Sequence, residues 1–236
     1  MKLALFGDVH GCIDELVELY QALSHESLDE ICSLGDLVDR GPDSGAVVAF
    51  CKEHKIKLTQ GNHESAILSH HRTQLKNPLH SPQNEDKRRT LASIRPEDWE
   101  YLDAPLLHVW DDLNVIAVHG GLYPRLPLWA QPQTVKYLQM IHPRYMGRTE
   151  WWGYKEEAEY HAQGWRRWTE VYEHEQLCVY GHSVYPEPHF VNNTLGLDTG
   201  CVFGGSLTAV ILPDRKFISV KAKRRYAERK HSPTPI

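Results

Sequence analysis

No stretch of this 236-residue chain is apolar for the length that a membrane-crossing helix needs, which leaves no transmembrane span to place. No CxxC pair occurs, and the five cysteines are scattered and odd in number, so neither a zinc ribbon nor a disulfide framework is indicated. No cysteine has an arginine six positions on, which argues against a cysteine-dependent phosphatase. Neither GxxxxGK nor GxSxG is present, so a P-loop nucleotidase and a serine hydrolase lack support. Positive charge is not in surplus either: 26 Lys and Arg stand against 31 Asp and Glu, a net charge of −5. That balance gives no case for wrapping nucleic acid or lying on an anionic membrane. The apolar start meets Gly7-Asp8 too soon for a signal peptide, and a reduced, cytoplasmic setting is expected.

What is present is an ordinary globular composition, 41% hydrophobic and 24% charged, with fifteen histidines. A chain of this size suits one domain over 1–236, and no internal repeat divides it. The first third alternates in period. Residues 3–6, 31–34 and 56–60 read as strands, 46–51 as the heart of a helix, and 64–71 as the start of another. Ile13, Leu16, Val17, Tyr20 and Leu23 share one helical face, with Asp14 and Glu15 suited to its first turn. Such spacing implies parallel strands joined by crossovers. Residues 76–89 are polar and carry two prolines, so an exposed loop or lid is expected there. Residues 106–110 and 115–118 flank a turn and read as a hairpin; 123–168 holds five of the seven tryptophans and reads as a helical excursion. Strands return at 177–180, 190–191, 195–197, 207–212 and 217–220.

Five glycine-bracketed polar stretches punctuate this pattern: GDVHG from Gly7, GDLVDRG from Gly35, GNHE from Gly61, HGG from His119 and GH at Gly181-His182. Asp36 lies 26 residues after His10, and Asn62 lies 26 after Asp36, one strand–helix–strand unit each time. In an open α/β sheet the C-terminal strand ends face one crevice, so these loops are expected to meet. Taken singly, each polar residue is more often a turn residue, a helix cap or a structural histidine than a ligand. Taken together, Asp8, His10, Asp36, Asn62, His119 and His182 are hard oxygen or imidazole donors without a thiolate, a set that suits Mn²⁺, Fe or Zn²⁺. Six donors suit two ions sharing a carboxylate, and Asp36 is the natural bridge. Two such ions clamp a phosphoryl displacement and acidify water into a nucleophile.

With these motifs in place, residues 3–220 resemble the calcineurin-type metallophosphoesterases of the phosphoprotein-phosphatase branch. The resemblance implies a four-layer α/β fold, two mixed β-sheets packed as a sandwich and flanked by helices. It implies that Asp8 and His10 hold the first ion, that Asp36 bridges, and that Asn62, His119 and His182 hold the second. Manganese is expected, with Fe, Zn²⁺ or Co²⁺ as alternatives. Asp39 would orient His63, His63 would protonate the leaving oxygen, and Arg40 would clamp phosphate. A second arginine is expected from the middle region, Arg148 ahead of Arg144.

The run LDTGCVFGGSLTAV resembles symmetrical dinucleoside-tetraphosphate hydrolases, which yield two ADP from diadenosine tetraphosphate, whereas the intact Asp39-Arg40-Gly41 is the form seen in protein phosphatases. The expected substrate is therefore a dinucleoside polyphosphate, with a phosphoprotein or a broad range of phosphomonoesters as the alternative. A phosphodiesterase, a nuclease or a non-catalytic scaffold ranks lower, because Asp39, Arg40 and His63 are all kept. Trp129, Trp151, Trp152, Trp165 and Trp168, with Tyr123, Tyr137 and Tyr145, form either a wall for a base or packing for the excursion, and the three-residue step from Trp165 to Trp168 favours packing. The segment 221–236 reads as a basic terminal tail, with six basic residues and one acid over 221–230.

Overall fold

The computed structural model describes residues 1–130 and 164–229 together with the backbone of Tyr145–Met146. Arg148, Arg144, Trp151, Trp152 and Tyr137 lie outside the described residues, as does the side chain of Tyr145.

The organising element is β1 (Leu3–Phe6), whose four residues are all buried because it is covered on both faces. Its side chains alternate: Ala4 and Phe6 join the core beneath the helices, and Leu3 and Leu5 join a second core on the opposite face. β2 (Glu30–Ser33) and β3 (Lys57–Leu58) continue the sheet in parallel on one side. On the other side lie β11 (Ser206–Leu212) and β12 (Lys216–Lys221), both antiparallel to their neighbours, in the order β12-β11-β1-β2-β3. The crossovers carry α1 (Ile13–Leu23) and α2 (Ser44–Glu53), the latter capped by the Asp43 carboxylate accepting from Ala46 N.

A second mixed sheet has the order β4-β5-β8-β10-β9, built from β4 (Leu107–Trp110), β5 (Val115–Val118), β8 (Leu177–Tyr180), β9 (His189–Val191) and β10 (Thr194–Gly196). β5 repeats the alternation of β1. Val115 and Ala117 meet Leu3, Leu5, Val210 and Leu212 in the space between the sheets, while Ile116 and Val118 face outward onto Trp168 and Tyr172. The two mixed sheets and their sandwich are as expected; among the described residues the α-helical layer lies on the first sheet, and Trp168 and Tyr172 cover the second. Each fully buried leucine in it contributes about 1.5–3 kcal/mol over an exposed one.

The local differences have physical causes. The polar stretch at 76–89 is not a continuous loop: α4 (Glu85–Ser93) begins inside it, capped by Asn84 accepting from Lys87 N, with Glu85 and Asp86 in its first turn. Only Thr90 of α4 is buried, so no apolar period announced this helix. Within 123–168 the described residues form a 3₁₀ turn at Leu128–Ala130 and a two-residue ribbon, β6 (Tyr145–Met146) with β7 (Arg166–Arg167), and the rest of the expected helical excursion, 131–144 and 147–163, lies outside the described residues. Trp168 packs edge-on against Tyr172 and Tyr180, ring centroids 5.7 and 5.0 Å apart, whereas Trp129 is 86% exposed. The aromatic stripe at Trp168 is thus core packing. On α1, Glu15 is buried beside Leu16 and Leu19. No helix among the described residues is long and apolar enough to cross a membrane.

Candidate metal centre

Every one of the five glycine-bracketed stretches follows the C-terminal end of a strand: Asp8 and His10 after β1, Asp36 after β2, Asn62 after β3, His119 after β5 and His182 after β8. Because β1, β2 and β3 are parallel, and β5 and β8 are parallel, these ends open on one side of the sandwich. Close packing there requires bare backbone. A Cβ at Gly181 would collide with Asp8 Oδ1, and one at Gly61 with Asp36 Oδ1.

The backbone is bent hard to aim these side chains. Nine non-glycine residues among those described have positive φ, and five of them are His10, Asp36, Asp39, Arg40 and His182. Left-handed backbone costs a non-glycine residue about 1–3 kcal/mol and persists only where its surroundings hold it. Here the holding is visible. Val9 N and His10 N donate to Asp36 O at 3.1 and 2.8 Å, and Gly11 N to Leu37 O at 2.7 Å. Glu64, fully buried, accepts from Asp36 N and Leu37 N at 2.8 Å each and from Gly61 N at 2.9 Å. Glu64 went unnoticed in the sequence; the signal was its place three residues after Gly61 at the start of α3 (Asn62–Lys76), where an acid reaches back to the helix entry.

Two histidines are fixed in one tautomer by the carbonyls behind them. His10 Nδ1 donates to Val38 O and His119 Nδ1 to Leu34 O, both at 2.8 Å, which turns each Nε2 inward. Ligand-capable atoms then fall into two groups, each within 4.8 Å: His10, Asp36 and His63, and Asp36, His119 and His182. Asp36 belongs to both. Asn62 Oδ1 is 3.0 Å from His119 Nε2, and Asp8 Oδ2 is 3.9 Å from His10 Nε2, with Asp8 Oδ1 accepting from His182 N. All six sequence-named donors are therefore gathered, and His63 stands with them.

The electrostatics are those of a cation site. Burial, reinforced by the adjacent Asp198, holds the Asp8 carboxyl well above the ordinary range. Burial and then Asp36 likewise raise Glu64. Burial opposes ionisation of Asp36 too, but His119 and His63 hold its carboxyl well below the usual value. Burial disfavours the His119 imidazolium, yet Asp36, Asp8 and Glu64 push it up to about 10. Burial, Arg40 and His63 keep His10 neutral, the form that ligates. Arg40 NH1 sits 2.5 Å from His10 Nε2 and its guanidinium lies 5.5 Å over the Phe203 ring, so a positive charge already occupies the mouth of the site. Buried carboxylates, inward imidazole nitrogens and one asparagine oxygen fit hard or borderline divalent cations, which would displace the proton from His119 Nε2 on binding.

Beside this centre His63 Nδ1 donates to Asp39 Oδ2 at 2.6 Å, which leaves Nε2 toward Asp36 Oδ2 at 3.9 Å. Asp39 is itself held: Thr90 Oγ1 donates to Oδ1 at 2.7 Å, Asp39 N donates to Ser44 Oγ, and Lys87 Nζ donates to Oδ2. Burial works against the Asp39 charge, but His63 and Lys87 outweigh it and hold the carboxyl low. Lys87 and Thr90 come from α4, the helix hidden within the expected loop. Their distance in sequence from Asp39 leaves no local signal.

The chain and its fold have counterparts among known proteins. The family model described as calcineurin-like phosphoesterase matches residues 1–209. A relative from Oceanobacillus iheyensis, named bis(5'-nucleosyl)-tetraphosphatase PrpE [asymmetrical], is 29% identical over 98% of this chain and 96% of its own. A solved structure assigned provisionally as a diadenosine tetraphosphatase is 26% identical with a TM-score of 0.76, covering 94% of this chain and 93% of that one. A protein serine/threonine phosphatase from Saccharomyces cerevisiae shares the fold at 16% identity and a TM-score of 0.56, over 95% of this chain and 80% of that one.

Proposed function

This chain belongs to the calcineurin-like phosphoesterases, and from that premise we propose that it hydrolyses a phosphoanhydride of a dinucleoside tetraphosphate using two divalent cations, manganese first among them. The observation that carries the reading is the pair of ligand groups sharing Asp36, with His63 braced by Asp39 at its edge. Asp8, His10 and Asp36 would hold one cation, and Asp36, Asn62, His119 and His182 the other. When bound, such cations supply Lewis-acid charge to phosphoryl oxygens and acidify water.

The protein's own groups do the rest. Arg40 turns its guanidinium fork from His10 to two phosphoryl oxygens, its stack on Phe203 limiting the swing. Asp39 holds the Nδ1 proton of His63, so the proton for the leaving oxygen sits on Nε2, facing the centre. Lys87 and Thr90 hold Asp39 in that register. Arg148, ahead of Arg144, would supply the second phosphate-binding guanidinium.

The named relatives favour off-centre scission, giving ATP and AMP from diadenosine tetraphosphate. The LDTGCVFGGSLTAV run favours the symmetrical cut, giving two ADP. The test is turnover of manganese-loaded protein on diadenosine tetraphosphate beside a phosphoserine peptide, with nucleotides resolved by chromatography. A higher kcat/KM on the dinucleotide supports the proposal, and the product pair identifies the cut. Preference for the peptide overturns it in favour of a protein phosphatase.

A further inference from the structure

A third group of metal-capable side chains borders the phosphate site, the Cys12 thiol donating to His10 O at 3.9 Å, and shares no donor with the two groups above. Cys12 Sγ, Cys201 Sγ and a carboxylate oxygen of Glu15 all fall within 4.8 Å of one another. The three residues are 0%, 1% and 0% exposed, respectively. Cys12 precedes the first turn of α1, Glu15 lies in that turn, and Cys201 opens the 3₁₀ turn Cys201–Phe203.

The Glu15 carboxylate is used on one side only. Oε1 accepts from Lys223 N at 2.8 Å and from Tyr226 Oη at 2.7 Å, whereas Oε2 is buried with no hydrogen-bond partner. Burying a polar atom without a partner costs about 1–3 kcal/mol, more for a charged one, so such an atom in a folded protein asks for an occupant. Two sulfurs within 4.8 Å of a carboxylate oxygen of this glutamate name the kind of occupant.

We propose that Cys12, Cys201 and Glu15 bind a thiophilic divalent cation, zinc by the chemistry of the donors. Binding replaces the two thiol protons, which leave to solvent, and places two thiolates and the Oε2 carboxylate around the ion. The bonds that Lys223 N and Tyr226 Oη make to Oε1 are the outer contacts that fix the orientation of a ligating carboxylate. The ion joins three parts of the chain: the start of α1, the Cys201–Phe203 turn, and the C-terminal segment. The last two are already tied by Tyr226 N and Ala227 N donating to Val202 O at 3.0 Å. A fourth, non-protein ligand would complete the tetrahedron, and the ion secures the turn whose Phe203 lies under Arg40.

Cobalt separates this site from the phosphate site, whose donors are nitrogen and oxygen only. The full chain, stripped with chelator, reduced and loaded with Co²⁺, is expected to show a sulfur-to-cobalt charge-transfer band in the near ultraviolet. Cys12→Ser and Cys201→Ser should each abolish the band and lower metal content by one equivalent per chain, with the remaining equivalents retained. Absence of the band from the wild-type chain overturns the proposal, and this readout does not depend on the variants folding. Persistence of the band in both variants also overturns it. So does a denatured, metal-free mass of the unreduced wild-type chain that is lighter by two hydrogens, which identifies a Cys12–Cys201 disulfide in place of a metal.

Discussion

Replacing Glu64 with glutamine tests whether the metal-binding loops depend on a support that touches no substrate. The side chain is fully buried, and its two oxygens take three backbone N–H groups, two of them on the bridging Asp36 and its neighbour Leu37. Glutamine keeps the shape but offers one acceptor. In its better orientation the amide oxygen faces Asp36 N and Gly61 N, and the NH₂ is set against Leu37 N. One charge-assisted bond, worth about 1.5–3 kcal/mol, is lost, and a buried donor left without a partner costs about 1–3 kcal/mol. Relaxation recovers part of this, so the expected loss is about 2–4 kcal/mol. The assay is urea unfolding of metal-free protein, followed by manganese titration at a temperature where both proteins are folded. Weaker manganese binding should accompany the loss of stability, because Asp36 holds its left-handed backbone partly through Glu64. A destabilisation under about 0.5 kcal/mol with manganese affinity unchanged would refute the reasoning.

Two further outcomes are expected. His63→Asn should leave metal content intact while slowing alkyl phosphomonoesters far more than nitrophenyl phosphate, since only a poor leaving group needs the proton; equal slowing across leaving groups would count against the acid role. Glu26, hydrogen-bonded to Lys2 and Lys216, has its carboxyl lowered from 4.5 to about 2. A depressed carboxyl adds stability above its unfolded value and loses it as pH falls toward the folded one. Glu26→Gln should therefore flatten the stability curve between pH 4.5 and about 2, and an unchanged acid limb in urea melts would contradict that.

The legible parts of this molecule were those where period or punctuation is local. β1 and β5 announced themselves as short apolar runs between turn residues, and the six donors stood beside glycines that the crowded loops require. What escaped was non-local or lacked a period. α4 is polar nearly all round, and its reason to exist is tertiary: Lys87 and Thr90 reach an aspartate 48 and 51 residues earlier. Glu15 looked like a first-turn acid suited to the helix dipole, yet it is buried because a C-terminal segment more than 200 residues away folds back onto it. The Trp165–Trp168 step suggests helical packing, but Trp168 packs on β8 from a 3₁₀ turn at Trp168–Val171, and most of the expected excursion lies outside the described residues. The Asp39-Arg40-Gly41 motif marks Arg40 as a phosphate clamp, and the structure adds its contacts with His10 and Phe203, both distant in sequence.

The most direct test of the central claim is electron paramagnetic resonance of manganese-loaded wild-type protein and Asp36→Asn. Asp36 lies in both ligand groups, so the wild type should give the multiline spectrum of two exchange-coupled manganese ions. The variant should bind fewer ions and show only isolated manganese. Coupled spectra of equal intensity and equal metal content in both proteins would contradict a centre built on Asp36.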